Sequence, residues 1–187
     1  SLFDADDNQA LLAVQEAGRL ADVEALVVEA LAKQIRENQQ NRAALDAAGV
    51  LRALAVVYDT AGRPADVMTL LEHAPWWGVE DVDEMDMESD EPLQMAVLHA
   101  LAATGHTQAA AQFARRILVT RPDDDAVYAV LADVEGILCL PFLDDLSQRD
   151  RFEERPLIWK AEVLRRAGQL DAAEAAARAA LQTGKYA

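Results

Sequence analysis

Residues 157–181 read LIWKAEVLRRAGQLDAAEAAARAAL. Leu157, Ala161 and Leu164 recur at helical spacing before Gly168, and Leu170, Ala173, Ala177 and Ala180 continue it afterwards. Alanine has the best helix propensity and lets two helices approach closely. Glycine ends a helix at little cost because it accepts positive φ. Asp171 and Glu174 carry the D-x-x-E spacing of a capping box. The stretch therefore predicts two antiparallel helices joined by a tight turn at Gly168, with Ala173, Ala177 and Ala180 as the packing seam of the second.

The same punctuation recurs along the chain. Gly18, Gly62, Gly105 and Gly168 stand in AGRLAD, AGRPAD, TGHTQA and AGQLDA. Each follows a segment of helical period and precedes another within three residues. Pro64 falls at the first turn of a helix, where its missing N–H costs nothing. Around Gly62 the apolar set is Leu51, Leu54, Ala55 and Tyr58, then Val67, Leu71 and Ala74. Around Gly105 it is Val97, Leu98 and Leu101, then Ala110, Ala114, Ile117 and the closing Pro122. Gly18 anchors a weaker version from Asp7 to Ala30. Asp123, Asp124 and Asp125 open a further helix carrying Tyr128, Leu131 and Ala132, and a short second helix lies near Leu140–Gln148.

This pattern resembles the tetratricopeptide repeat (TPR). In that family an apolar residue, a second one beside a small residue and an aromatic precede a turn glycine, and an alanine ladder and a proline follow. Segments Leu51–Ala74 and Arg155–Leu181 carry the match best, and Leu98 stands where the family has a small residue. The resemblance implies an all-α fold, a right-handed superhelical stack (α-solenoid) of about five TPR-like helical hairpins. The units span 4–37, 48–81, 91–124, 125–153 and 154–187 of one repeat domain. They are irregular, because the turn glycines are not evenly spaced. One hairpin cannot bury its apolar face alone, and stacked neighbours share a continuous core.

Composition excludes several functions. The chain has 187 residues, 33 Asp and Glu against 17 Lys and Arg, and a net charge of −16. Apolar residues make up 52%, too many for a disordered chain, and 38 residues are alanine. Nucleic acid is not an expected partner, since phosphate binding needs clustered bases. One cysteine, Cys139, excludes an internal disulfide and a thiolate zinc site. In Ile137-Leu138-Cys139-Leu140 it reads as a buried, inert thiol. No uninterrupted apolar run approaches the roughly 18 residues of a membrane span, so no membrane is expected. No secretory signal is visible, and a cytoplasmic setting is the leaning. The start at Ser1 reads as a piece of a longer protein.

No catalytic constellation is legible. His73, His99 and His106 are the only histidines, and there is no His-Glu-x-x-His, Gly-rich phosphate loop or G-x-S-x-G. No metal, cofactor or enzyme activity is expected. Residues 80–91, EDVDEMDMESDE, carry eight acids and no base, within an insertion spanning 78–91. They read either as a solvated loop or as a docking segment for a basic partner, with Trp76 or Trp77 of Pro75-Trp76-Trp77-Gly78 as anchor. Calcium is disfavoured, because Met85 breaks the EF-hand spacing begun by Asp81 and Asp83. The polar stretch Gln34–Arg42 reads as a second linker.

The TPR resemblance implies a concave face, made by the first helix of each pair, that takes a peptide or a partner protein. Positions off the packing stripe are Arg52, Val56 and Asp59; Met95, His99 and Ala102; Ala129 and Asp133; and Arg155, Ile158, Glu162, Arg165 and Arg166. Residues 149–166 hold six bases and four acids, a local excess of positive charge in an acidic chain. Those arginines read either as partners of Asp150, Glu153, Glu154 and Glu162 or as a site for an acidic group. The Lys and Asn set with which some members of the family clamp an acidic tail is missing here. Self-association or intrachain docking is the alternative. The last unit ends without a polar capping helix, which leaves the face near Ala176, Ala180 and Tyr186 as a possible homodimer contact.

Overall fold

The computed structural model describes residue 25, residues 47–73 and residues 91–183. Among these the chain is helical, with no strand, as the sequence predicts. Helices α1 (Ala47–Thr60), α2 (Pro64–His73), α3 (Glu91–Ala103) and α4 (Thr107–Thr120) come first. Helix α5 (Asp125–Glu135), a 3-10 turn (Gly136–Cys139), α6 (Leu140–Arg149), α7 (Arg155–Arg166) and α8 (Leu170–Thr183) follow. The sequence unit 4–37 apart from residue 25, Trp76, Trp77, Tyr186 and the acidic insertion up to Asp90 lie outside the described residues. The chain divides into two compact units, the first holding α1, α2 and α3 through Ala100, the second beginning at Leu101.

In the first unit, Gly62 turns the chain between α1 and α2 with φ +67°, and the Arg63 N–H donates to the Tyr58 carbonyl at 2.8 Å. The Arg63 guanidinium lies 4.6 Å from the Tyr58 ring centroid and donates to Asp66 at 2.7 Å, which ties both helix ends to the turn. Leu54, Ala55, Val57, Val67, Met68 and Leu71 are buried, as are Leu93, Ala96, Val97 and Leu98 of α3.

The second unit repeats that turn twice. Gly105 and Gly168 have φ +85° and +75°. The residue after each donates to the carbonyl five positions back, His106 to Leu101 and Gln169 to Leu164, both at 2.9 Å. A Cβ on either glycine would meet nothing within 4 Å, so it is the left-handed backbone that calls for glycine there, not crowding. Helix α4 packs on α5, α5 on α7, α6 on α7 and α7 on α8. Phe113, Ile117, Leu118, Val127, Tyr128, Leu131, Leu143, Leu146, Val163 and Leu164 fill the interior.

Asp124 caps α5, its carboxylate accepting from the Val127 N–H at 3.3 Å, as the acidic triplet predicts. The turn after α5 differs from the other three. Gly136 has φ +54°, and the Cys139 thiol donates to its carbonyl at 3.0 Å inside the 3-10 turn. Arg115 of α4 closes this corner by donating to Glu135 at 2.6 Å while lying 5.3 Å from the Phe142 ring centroid.

Three local expectations are corrected. Asp171 lies inside the first turn of α8 and so cannot be its N-cap, while Glu174 accepts from Arg178. The α8 seam is Ala173, Ala176 and Ala180, all buried, whereas Ala177 is exposed. An unbroken alanine helix looks equally apolar on either side of its seam, so spacing alone could not separate the two sides. Residues 125–149 form one helical run long and apolar enough, by length and composition, to cross a membrane. Asp133 and Glu135 interrupt it, so in sequence it is not an unbroken apolar string.

Candidate functional site

The candidate face lies where α5 and α7 run side by side. Pro156 in the first turn of α7 is buried and starts that helix. Tyr128 of α5 is buried, donates to the Pro122 carbonyl at 3.0 Å, and has its hydroxyl pKa pushed up by burial. Its ring is stacked with Trp159 of α7, with centroids 6.1 Å apart and planes 10° from parallel. The Trp159 indole N–H donates to Asp125 at 2.8 Å. Arg155 approaches the same carboxylate at 3.6 Å and donates to Glu153 at 3.1 Å.

Farther along the same two helices lies a charged chain. Arg166 donates to Asp133 at 2.6 Å and to Glu162 at 2.8 Å. Arg165 takes both Glu162 oxygens, at 2.7 and 2.8 Å. Hydrogen bonds from Arg165 and then Arg166 hold the Glu162 carboxyl at a pKa of about 2, below its ordinary value of 4.5. Lys160 pairs with Asp144, joining α7 to α6.

In the first unit, His99 of α3 meets Asp59 of α1, with Nδ1 3.1 Å from both carboxylate oxygens. Hydrogen bonding to Asp59 raises the His99 pKa above 6.5. Met95 is half-buried, and Arg52 stands on α1.

The structure therefore joins the sequence-derived face residues in two groups, Asp59 with His99 and Asp133 with Glu162, Arg165 and Arg166. Arg155 sits with Asp125 and Glu153, and Ile158 is 47% exposed with no charged partner of its own. The arginines here are satisfied by carboxylates, the first of the two readings given to them. Spacing read Tyr128 as a packing position and Asp125 as part of a helix start, and it placed neither of them, nor Trp159, on the face. Their signal was present, since Tyr128 is the sole aromatic of α5 and Trp159 the sole aromatic of α7.

The two contacts between α5 and α7 have nearly the same sequence separation, and the one between α1 and α3 is longer. Trp159 and Asp125 are 34 residues apart, Arg166 and Asp133 are 33, and His99 and Asp59 are 40. His106 is bonded to Thr104 at 2.9 Å. Cys139 is buried, with its thiol pushed up to about 11 by desolvation. Among the described residues no three His, Cys, Asp or Glu side chains come together as a metal-binding group. Compared with protein-family models, curated proteins and solved structures, the chain matches none.

Proposed function

We propose that this chain is a non-catalytic protein-interaction scaffold: a right-handed superhelical stack of TPR-like hairpins that takes a peptide or a partner protein along the face of its first helices. The observation that carries this reading is the α5–α7 face, where Trp159, Ile158, Asp133, Glu162, Arg165 and Arg166 stand together on two adjacent first helices. Contacts 33 and 34 residues apart there support stacking at a repeat length. The three glycine turns with the same five-back hydrogen bond support a repeated hairpin.

Such a face offers a partner an aromatic edge, an exposed isoleucine and prearranged guanidinium–carboxylate pairs. Arginine and tryptophan are the side chains most often responsible for binding energy at interfaces. Because each arginine already has a carboxylate, an acidic side chain of the partner docks by exchanging with Glu162 or Asp133 and not by filling an empty charge site. The proposal involves no cofactor, nucleic acid or membrane. In the apolar run 125–149, Val127, Tyr128, Leu131, Leu143 and Leu146 are buried in the protein core, while Ile137 and Leu138 are exposed.

The test is selection from a displayed peptide library on the full chain, repeated with Trp159→Ala and Arg165→Ala. The selected peptides should lose at least about tenfold in affinity on either variant, about 1.4 kcal/mol. Peptides that bind both variants as well as the wild type would remove this face from the proposal.

A further inference from the structure

Helices α4 and α8 follow the same glycine turn, so their residues can be matched by counting from Gly105 and Gly168. Ala110, Phe113 and Ile117 of α4 correspond to Ala173, Ala176 and Ala180 of α8, and all six are buried. The next row round the helix differs. Ala111, Ala114 and Leu118 are buried on α4, which packs on α5. Their counterparts Glu174, Ala177 and Leu181 are exposed on α8, Leu181 at 70%. Arg115 beside the buried row reaches across to Glu135 of α5, while its counterpart Arg178 folds back onto Glu174 of its own helix. Leu170, 65% exposed, extends the bare row by one turn. The α8 row is thus the position at which α4 receives another helix, continued onto a helix that among the described residues has none there.

We propose that α8 of a second copy covers this row, running antiparallel to the first. A two-fold interface must be self-complementary, so that residue i meets j and j meets i. Leu170, Glu174, Ala177 and Leu181 are spaced four, three and four apart, which reads the same from either end. Antiparallel pairing about the midpoint sets Leu170 against Leu181 of the second copy and Glu174 against Ala177 of the second copy. The small alanine lets the two helices come close, and Arg178 of each copy reaches Glu174 of the other, the contact that Arg115 and Glu135 make within the chain. The inference is independent of the binding-face reading, because none of these residues lies on α5 or α7.

The row is short, so the dimer is weak and depends on concentration. Sedimentation equilibrium of the full chain from roughly 10 µM to 1 mM should show the average mass rising from one chain toward two. Leu181→Glu should raise the dissociation constant at least tenfold, and Leu181→Gln, which adds no charge near the helix end, should do so as well. Arg178→Glu places acids face to face and should weaken the dimer, and the double variant Glu174→Arg with Arg178→Glu should restore it. Circular dichroism at matched concentration checks that α8 stays folded in each. A wild-type chain that remains a monomer throughout the range would overturn the proposal, and so would a dimer that persists unchanged in Leu181→Glu and Leu181→Gln.

Discussion

Arg166 of α7 donates to Asp133 of α5 at 2.6 Å across 33 residues of sequence, and the same guanidinium holds Glu162 on its own helix. One side chain thus joins two first helices and orients the carboxylate that Arg165 grips from the other side. The pair is solvent-exposed, so it positions the face more than it holds the fold together.

Asp133→Ala, Arg166→Ala and the double variant form a cycle that measures this pair. The expected coupling in urea denaturation is about 0.5 kcal/mol, falling as salt is added. A coupling of several kcal/mol would mean that the face is structural.

Gly168→Ala should destabilise the chain by roughly 1–2 kcal/mol, because a Cβ is disfavoured at φ +75° although nothing stands in its way. Gly168→Asn should cost less, since asparagine tolerates the left-handed region better. Chemical denaturation of both variants checks the order, and equal losses would point to a steric cause.

The His99–Asp59 bridge sets a pH dependence in the first unit. The folded pKa of His99 is raised above 6.5, so its stabilisation is complete below 6.5 and is lost as pH rises through the raised value. Proton NMR should place the His99 titration above 6.5 in the wild type and return it toward that value in Asp59→Asn. Asp59→Asn should accordingly cost more stability at pH 6 than at pH 8.

Trp159→Phe keeps an aromatic ring beside Tyr128 but removes the donor to Asp125. A loss of about 1 kcal/mol is expected. Trp159→Ala removes the ring contact as well and should cost about 1 kcal/mol more. Thermal melts of the two variants separate the contributions.

Cys139 should resist thiol reagents in the folded chain. Burial pushes its pKa up to about 11, so at pH 8 almost none is thiolate. Labelling should become fast only in denaturant, and rapid labelling of the native protein would show that the 3-10 turn opens.

Much of the fold was legible locally. Helix formation follows from alanine content and apolar period, and the turns from Gly62, Gly105 and Gly168, whose positive φ few other residues accept. The start of α5 was legible in its aspartates, because a side-chain cap involves neighbours only three residues away. The corner at Gly136 was not, since its 3-10 turn is closed by Arg115 and Phe142, contributed by α4 and α6. Of the candidate face, the charged positions were named by helical phase, while the stacking of Trp159 on Tyr128 was not legible because it joins two helices.

By itself the sequence determined that this chain is helical, where three of its turns fall, and that Cys139 is buried. Each depends on interactions within about one helical turn or on simple apolar context. Only the tertiary structure decided that Ala176 and not Ala177 faces the α8 seam, that Glu162 is gripped by two arginines, and that Asp125 receives the Trp159 indole. Such choices depend on which helix stands opposite, and the spacing of residues along one helix carries no record of its neighbour.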